Sequence, residues 1–156
     1  DITICGDTSL TLDAGNAGAN FTWSTGDSTQ SITVNSNGTY NVTVEKDGCD
    51  GTGEFTLEMN PVPAAGFIPT EICLGGTNTF TDTSLANGAT ITSWQWSFGD
   101  GSSSTEQNPA HDYTGPGEYA VSLSLTTDKG CTSAVLDTAI VSNSPKAGFS
   151  PLAAFF

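Results

Sequence analysis

The chain has 156 residues, of which 17 are acidic and only three are basic, giving a formal net charge of −14. Nucleic-acid binding is excluded, because phosphate recognition needs a basic footprint. No apolar run is long enough to cross a membrane, so direct membrane insertion is not expected. Serine, threonine, asparagine and glycine are abundant, which favours strands and turns over helices.

The first 60 residues consist of short alternating apolar segments separated by turn residues. Alternation with a period of two is typical of a strand with one buried face. Several such strands at close spacing, with glycine, asparagine and aspartate between them, predict an all-β sandwich. The alternating residues are Leu10 and Leu12, Phe21 and Trp23, Ile32 and Val34, Tyr40, Val42 and Val44, and Phe55, Leu57 and Met59.

The most aromatic part of the chain lies between residues 94 and 125. Trp94, Trp96 and Phe98 alternate with polar residues and predict a strand with a buried aromatic face. The Gly-Asp-Gly of residues 99–101 should end this strand, because glycine and aspartate favour turns. A second half-buried strand is predicted from Tyr119 onward. We therefore expect both tryptophans and Tyr119 in the core.

Three motifs in this region carry a family resemblance. They are Trp-Ser-Phe-Gly-Asp-Gly at 96–101, Asn-Pro-x-His-x-Tyr at 108–113 and Gly-Pro-Gly-x-Tyr at 115–119. Together they resemble the polycystic-kidney-disease (PKD) type of immunoglobulin-like domain, in its bacterial surface-protein version. The resemblance covers roughly Ala64 to Ser142. It implies an immunoglobulin-like fold and an extracellular setting, and it implies no particular reaction.

The two halves of the chain follow one template, in the order Cys, Trp, Gly-x-Tyr, Gly-Cys. This repeat predicts two tandem immunoglobulin-like β-sandwich domains, at residues 1–60 and 61–143. Trp23 and Tyr40 should be core residues of the first domain, in the places that Trp96 and Tyr119 take in the second. The matched segments are Cys5-Gly6 with Cys73–Gly75, Trp23–Asp27 with Trp96–Asp100, Gly38–Val42 with Gly117–Val121, and Gly48-Cys49 with Gly130-Cys131.

The cysteine count is four, which in an acidic, secreted-looking chain suggests two disulfides. The spacings do not fit zinc, which usually needs a close Cys-x-x-Cys pair. Placed on the repeat, the cysteines predict one disulfide within each domain, Cys5–Cys49 and Cys73–Cys131. Each bond is expected to staple one end of its sandwich.

A further repeated segment begins each successive part of the chain. Pro-x-Ala-Gly-Phe-x-Pro occurs at residues 63–69 and again at 145–151. Residues 144–156 therefore look like the first strand of a following domain, as in an excerpt of a longer array. Two alternatives stay open, a frayed tail or a strand that adds to a neighbouring molecule. The residues of such an interaction strand would be Phe149, Phe155 and Phe156.

No catalytic residues are predicted. His111 is the single histidine, and its place in the Asn-Pro-x-His-x-Tyr motif indicates a structural role. Asp100 is a candidate calcium ligand, with the alternative that its side chain caps the turn after the strand. Asp27 stands at the equivalent place in the first domain, with the same two alternatives. Apart from calcium, no cofactor is expected.

The first domain resembles the immunoglobulin-like repeats found beside PKD domains in long surface proteins of gliding bacteria, which use the type IX secretion route. This resemblance implies a non-catalytic stalk, filament or adhesin on the bacterial cell surface, with a role in adhesion or gliding motility. Its partners would be neighbouring repeats, other filament subunits, surface glycans or other surface proteins. The alternative is an accessory substrate- or carbohydrate-binding module of a secreted enzyme, which an exposed row of aromatic residues would favour.

Overall fold

The computed structural model describes residues 1–68, 72–76, 78–145 and 148. Every regular element in this part of the chain is a β-strand, and none of its segments forms a helix that could span a membrane. The chain divides into two compact units. Unit 1 comprises Asp1–Pro63 together with Ala86–Thr90 and Thr127–Cys131, and unit 2 comprises the remaining segments.

Unit 1 is a sandwich of a four-stranded sheet, in the order β1-β6-β5-β3, and a two-stranded sheet of β2 and β4. The alternation read from the sequence sets which residues face inward, as in β3 and β4, where exposed and buried positions alternate strictly. Its core contains seven buried side chains, from Phe21 to Leu57. The strands are β1 (Ile2–Cys5), β2 (Leu10–Asp13), β3 (Asn20–Trp23), β4 (Ser31–Val34), β5 (Gly38–Lys46) and β6 (Cys49–Asn60).

Unit 2 has the same arrangement with a larger main sheet, in the order β11-β10-β12-β13-β8, and a two-stranded sheet of β7 and β9. Trp96, Phe80 and Phe98 are almost completely buried and lie within 5.1–6.4 Å of one another, measured between ring centroids. The strands are β7 (Phe67–Ile68), β8 (Ile72–Cys73), β9 (Thr81–Asp82), β10 (Ile91–Ser97), β11 (Ser103–Ser104), β12 (Gly117–Thr127) and β13 (Thr132–Ser142).

The all-β, immunoglobulin-like fold expected from the sequence is confirmed, and each alternating segment named above lies on a strand or directly after one. The predicted core residues Trp23, Tyr40 and Trp96 are buried. Trp94 and Tyr119 are half-buried and pack against the core of unit 2. The predicted interaction residues Phe149, Phe155 and Phe156 lie outside the described residues, and the proposed boundaries at 60–61 and 143–144 stay predictions.

The predicted disulfide pairing is wrong. Cys5 is bonded to Cys131, with the two Cα atoms 5.6 Å apart, and Cys49 is a free thiol. The reason is strand direction. Strand β1 runs parallel to β6, and its register places Cys5 beside Asn60 at the far end of that strand. Cys49 opens β6, eleven residues earlier, so along the strand it lies about 36 Å from that place. A disulfide needs Cα atoms within about 7 Å.

The same geometry rules out the second predicted pair. Strand β8 runs parallel to β13, and Cys73 lies beside Ser142, the last residue of that strand. Cys131 comes just before β13 begins, at the other end of the strand. Cys73 is therefore a free thiol, and both free cysteines are exposed to solvent. The sequence repeat correctly matched equivalent cysteines, but the expectation that partners lie within one repeat was mistaken.

Unit 1 has an open cleft of about 520 Å³ between its two sheets. Its lining is mainly apolar and includes Leu10, Leu12 and Trp23. Two glycines of β6, Gly51 and Gly53, lie in the lining and carry no side chain to fill the space. The small covering sheet of unit 1 thus leaves part of the inner face of the main sheet open.

Candidate functional site

The family-like motif Trp-Ser-Phe-Gly-Asp-Gly forms the end of β10 and the turn after it. Gly99 has a φ of +82°, and a Cβ atom placed there would lie 2.6 Å from the backbone oxygen of Ala120 on β12. Only glycine fits this approach without moving the neighbouring strand. The backbone N–H of Ser102 donates to Asp100 Oδ1 at 3.0 Å, which closes the turn. Asp100 therefore caps the turn, as one of the two sequence alternatives stated.

Asp100, Ser102 and His111 form one polar cluster. The side chains of Asp100 and His111 are 24% and 15% exposed, and His111 Nε2 lies 2.8 Å from Asp100 Oδ2. The Ser102 hydroxyl donates to Asp100 Oδ1 and lies 3.2 Å from the same His111 Nε2. Because a carboxylate can only accept hydrogen bonds, Nε2 carries the proton that it shares with Asp100.

These three residue types are also those of a hydrolytic triad, but their geometry differs from that of a triad. In a triad the aspartate holds one ring nitrogen and the other nitrogen accepts the serine proton. Here the aspartate and the serine both approach Nε2, which already carries a proton. The histidine therefore cannot act as a general base for the serine. The three side chains instead form a hydrogen-bonded clamp that holds the turn.

The pKa of Asp100 reflects this clamp. Burial favours the neutral acid, but the hydrogen bonds from Ser102 and the contact with His111 outweigh it and lower the pKa to about 2. The carboxylate is therefore ionised at any pH at which the domain is expected to work. Its oxygens already accept the donors named above.

Calcium binding at Asp100 stays a prediction. A calcium ion there would have to compete with the hydrogen bonds from Ser102 and His111. Across the described ranges, no three or more His, Cys, Asp or Glu side chains are grouped closely enough to hold a metal ion. The equivalent Asp27 in unit 1 accepts a hydrogen bond from the Thr25 hydroxyl at 2.7 Å.

The histidine of the Asn-Pro-x-His-x-Tyr motif is part of an aromatic stack. His111 lies flat on Phe98 at 4.2 Å and edge-on to Tyr113 at 4.6 Å, measured between ring centroids. The Tyr113 hydroxyl donates to the carbonyl oxygen of Phe98 at 2.9 Å. Burial, followed by the charge of Asp100, raises the pKa of Tyr113 to about 12. These contacts give the motif a packing role.

The equivalent tryptophans of the two repeats make the same hydrogen bond. Trp23 Nε1 donates to the carbonyl oxygen of Thr29 at 2.8 Å, and Trp96 Nε1 donates to that of Glu106 at 2.9 Å. A buried indole N–H needs such a partner. In the part of the chain that the structure describes, no tryptophan, tyrosine or phenylalanine side chain is exposed. The described surface thus offers no aromatic row for stacking against sugars.

The tyrosines of the Gly-x-Tyr segments are also equivalent. Tyr40 donates its hydroxyl to the carbonyl oxygen of Ser36 at 2.8 Å, and Tyr119 donates to that of Gly115 at 3.0 Å. Both bonds reach back four residues, which is the form of the tyrosine corner in immunoglobulin-like domains. The repeated Gly-x-Tyr segment is therefore explained by one local structure that occurs twice.

Asp82 was missed by the sequence reasoning. Its carboxylate accepts hydrogen bonds from Trp94 Nε1 at 2.7 Å, Gln107 Nε2 at 3.1 Å and the backbone N–H of Ser84 at 2.9 Å. Burial works against ionisation, but these bonds outweigh it and lower the pKa of Asp82. The bond from Trp94 explains why that residue stays at the edge of the core. Nothing in the local sequence links the two residues, since they are joined only by folding.

The disulfide lies in unit 1, although its cysteines come from the two different sequence repeats. Cys131 is completely buried and follows a turn in which Thr127 and Cys131 bond to each other through both backbone and side chain. Asp128 of the same segment pairs with Thr90 through two hydrogen bonds, of 2.8 and 2.9 Å. The bond joins positions 126 residues apart, so it spans most of the chain.

Two stacked β-sheets, a tyrosine corner and a buried tryptophan in each unit define an immunoglobulin-like β-sandwich module. The chain belongs to the PKD domain family, because the model of the PKD domain matches residues 58–141, about half of its length. This confirms the resemblance drawn from the three sequence motifs, which all lie inside the matched range.

Individual relatives cover only parts of the chain. A microbial collagenase of Vibrio alginolyticus is 48% identical over 52 residues, which is 33% of this chain and 6% of the collagenase. The crystal structure of the PKD1 domain of Vibrio anguillarum Epp superimposes with a TM-score of 0.51 at 33% identity, covering 55% of this chain and 99% of that domain. A third match is a solved structure that concerns the promiscuous specificity of carbohydrate-binding modules. It superimposes with a TM-score of 0.51 at 29% identity, and the match covers 55% of this chain and 36% of the chain in that structure.

Proposed function

We propose that this chain is a non-catalytic, load-bearing repeat segment of an extracellular bacterial surface protein or filament. In this role it extends adhesive or motile parts from the cell, as a stalk in cell adhesion or gliding motility. Its partners are then neighbouring repeats or filament subunits, and any contact with glycans or other surface proteins comes from exposed loops. The relatives support an extracellular setting, because they include a microbial collagenase, and collagen is an extracellular substrate.

The observation that carries this proposal is the disulfide between the repeats. Force applied to the two ends of the chain passes through the disulfide from Cys5 directly to Cys131. The residues between these two cysteines, which are 126 positions apart, therefore carry no load and cannot be extended. Fully extended, that stretch would add about 440 Å of length. A single covalent bond thus keeps most of the chain from unravelling under load, which serves a stalk better than a freely binding module.

The strand order within unit 1 supports the same role. If the disulfide is reduced, the load passes through unit 1 itself. Strand β1 pairs in parallel with β6, so force on the start of β1 and the end of β6 would then shear all their hydrogen bonds together. Separating bonds together is harder than opening them one by one. The high negative charge keeps such an exposed segment soluble.

Single-molecule force spectroscopy of the full chain, held at both ends, tests the proposal. The oxidised chain should show no long extension, and the Cys5→Ser variant should lengthen by about 440 Å more, at about 3.5 Å per residue. Cys49→Ser, which removes a free thiol, is the matched control and should behave like the parent. A long extension of the oxidised parent would contradict the proposal.

An accessory substrate-binding module of a secreted enzyme is the second candidate. The similarity to part of a collagenase and to a carbohydrate-binding structure favours it, and the open cleft of unit 1 offers a concave apolar surface. Against it, the described residues present no exposed aromatic side chain. Co-sedimentation of the chain with collagen fibrils or an insoluble polysaccharide would establish this second function in place of the first.

A further inference from the structure

The two free thiols occupy the same places in the repeat as the two bonded cysteines. Cys73 matches Cys5, and Cys49 matches Cys131. Only Cys5 and Cys131 are joined, while Cys49 and Cys73 are exposed. Each free thiol is therefore equivalent to a cysteine that is bonded in the other repeat.

Backbone geometry confirms that Cys5 and Cys73 are equivalent. Cys5 pairs with Asn60, the last residue of β6, and the next N–H, that of Gly6, donates to the Asn60 carbonyl oxygen at 2.9 Å. Cys73 pairs with Ser142, the last residue of β13, and the N–H of Leu74 donates to its carbonyl oxygen at 2.8 Å. Both cysteines thus lie beside the end of the final strand of their repeat.

Cys49 and Cys131 also share a local structure. Each follows a glycine in the turn before the final strand, Gly48 with a φ of +77° and Gly130 with a φ of +76°. A positive φ of this kind is readily adopted by glycine and seldom by other residues. The Gly-Cys pair is therefore a turn that presents a cysteine at the start of the final strand.

The Pro-x-Ala-Gly-Phe segment follows the final strand of each repeat at the same distance along the chain. Asn60 and Ser142 each stand three residues before the proline of a Pro-x-Ala-Gly-Phe segment, Pro63 and Pro145 respectively. After Pro63 comes the repeat whose Gly-Cys turn supplies the partner of Cys5. A repeat that begins at Pro145 would have the same spacing from Cys73.

We propose that Cys73 forms a disulfide with the Gly-Cys turn of a further repeat that follows Pro145, and that Cys49 receives the matching cysteine of a preceding repeat. Every repeat would then be bonded to the next, as Cys5 is bonded to Cys131. This inference rests on the proposed function as a repeat segment. Force on the two ends of a longer chain would then pass through one disulfide after another, and the residues between the bonded cysteines of each repeat would be shielded from extension.

Each bond would form by thiol–disulfide exchange with a small-molecule or protein disulfide outside the cytoplasm. One thiolate attacks that disulfide and releases one thiol, and the second cysteine of the pair then displaces the other. The two cysteines lose two electrons, and the oxidising disulfide is reduced to two thiols. The exposure of Cys49 and Cys73 leaves both thiols open to this chemistry.

The test uses the full chain with a second copy of residues 63–144 inserted between Ser144 and Pro145. The protein is oxidised in a glutathione buffer, free thiols are alkylated, and unreduced peptides are mapped by mass spectrometry. We expect Cys73 to be bonded to the Cys131 of the added copy, with Cys49 alkylated. The Cys5–Cys131 bond in the same molecules shows that oxidation was complete. In a Cys73→Ser variant, the added Cys131 should be alkylated and Cys5–Cys131 should persist.

A second arm uses the full chain as it is. Cys49→Ser and Cys73→Ser variants, mixed under the same oxidation, should couple to each other through their remaining thiols at least several-fold faster than either couples to itself. Two results together would overturn the inference. In the extended chain, Cys73 would be alkylated although Cys5–Cys131 had formed, and in the mixture the two variants would couple to each other no faster than each couples to itself. That result would leave the force measurement on the single chain unaffected, so the two proposals fail separately.

Discussion

The two units are built on one template but differ in how well their cores are closed. The core of unit 1 contains seven buried side chains, and that of unit 2 contains eleven, with Trp96 and Phe80 completely enclosed. Unit 1 keeps an open cleft whose lining includes its equivalent tryptophan, Trp23. The same tryptophan in the same motif is therefore packed on all sides in one unit and at the edge of an open space in the other.

The difference comes from the segment that only the second repeat contains, residues 108–113. Its Pro109 is among the largest fully buried side chains, and the Pro109 carbonyl oxygen accepts a hydrogen bond from the Phe80 N–H at 2.9 Å. Tyr113 is 5% exposed and anchors to Phe98. The segment thus closes unit 2 from the side. Unit 1 has no counterpart, and the disulfide is the covalent constraint that it has instead.

Removing the disulfide should produce the largest effect and widen the difference between the units. On the chain-entropy model, a loop closed by residues 126 apart contributes about 5 kcal/mol when the whole chain unfolds. In a Cys5→Ser variant, unit 1 should therefore open well before unit 2. Hydrogen exchange in urea, resolved by peptide, measures both. Cys49→Ser is the control, and an equal loss from that variant would show that the bond is not the cause.

Truncating the two equivalent tryptophans should give the next largest effect. Trp96→Ala should cost unit 2 about 4–5 kcal/mol of unfolding free energy, because it leaves a cavity in a closed core. Trp23→Ala should cost unit 1 about 3 kcal/mol, because part of that side chain already borders the cleft. Urea titrations of each variant measure the difference. Leu136→Ala, at a side chain that is 69% exposed, is the control and should change stability by less than about 0.5 kcal/mol. A loss at Trp23 equal to that at Trp96 would contradict the comparison.

The strands, the repeat and the tyrosine corners could be predicted from the sequence because they are local. Alternating residues such as Phe21 and Trp23 report burial within one strand, and Gly-x-Tyr reports one corner. The disulfide could not be predicted in the same way. The repeat shows that Cys5 matches Cys73, but disulfides within one repeat and disulfides between repeats both agree with that match. The choice between them depends on β1 running parallel to β6 and β8 running parallel to β13, which alternation within a strand does not encode.

The clamp at Asp100 was predicted only in outline for the same reason. Its proximity to Ser102 follows from a spacing of two residues in a turn. Its contact with His111 depends on how a separate segment folds over Phe98. The sequence left the aspartate with two alternatives, a calcium ligand or a cap on the turn, and indicated a structural role for the histidine, without placing the two residues together. Folding brings them into one cluster.

The smallest expected effect concerns the pH dependence of unit 2, and it depends on that cluster. The pKa of Asp100 is about 2 in the folded chain, below its ordinary value of 3.8. The carboxylate therefore stabilises the fold above pH 4, and this contribution is lost as the pH falls from 4 toward 2. After allowance for solvent screening, the loss should be about 1 kcal/mol. In an Asp100→Asn variant, the difference in unfolding free energy between pH 5 and pH 2 should be smaller than in the parent by that amount.

Leu136→Ala supplies the control, because it removes an exposed apolar side chain and no titratable group. This variant should therefore keep the pH profile of the parent. If the Asp100→Asn profile also followed the parent, the hydrogen bonds from Ser102 and His111 would not favour the ionised carboxylate. The turn after β10 would then depend on Gly99 and the packing of Phe98 alone.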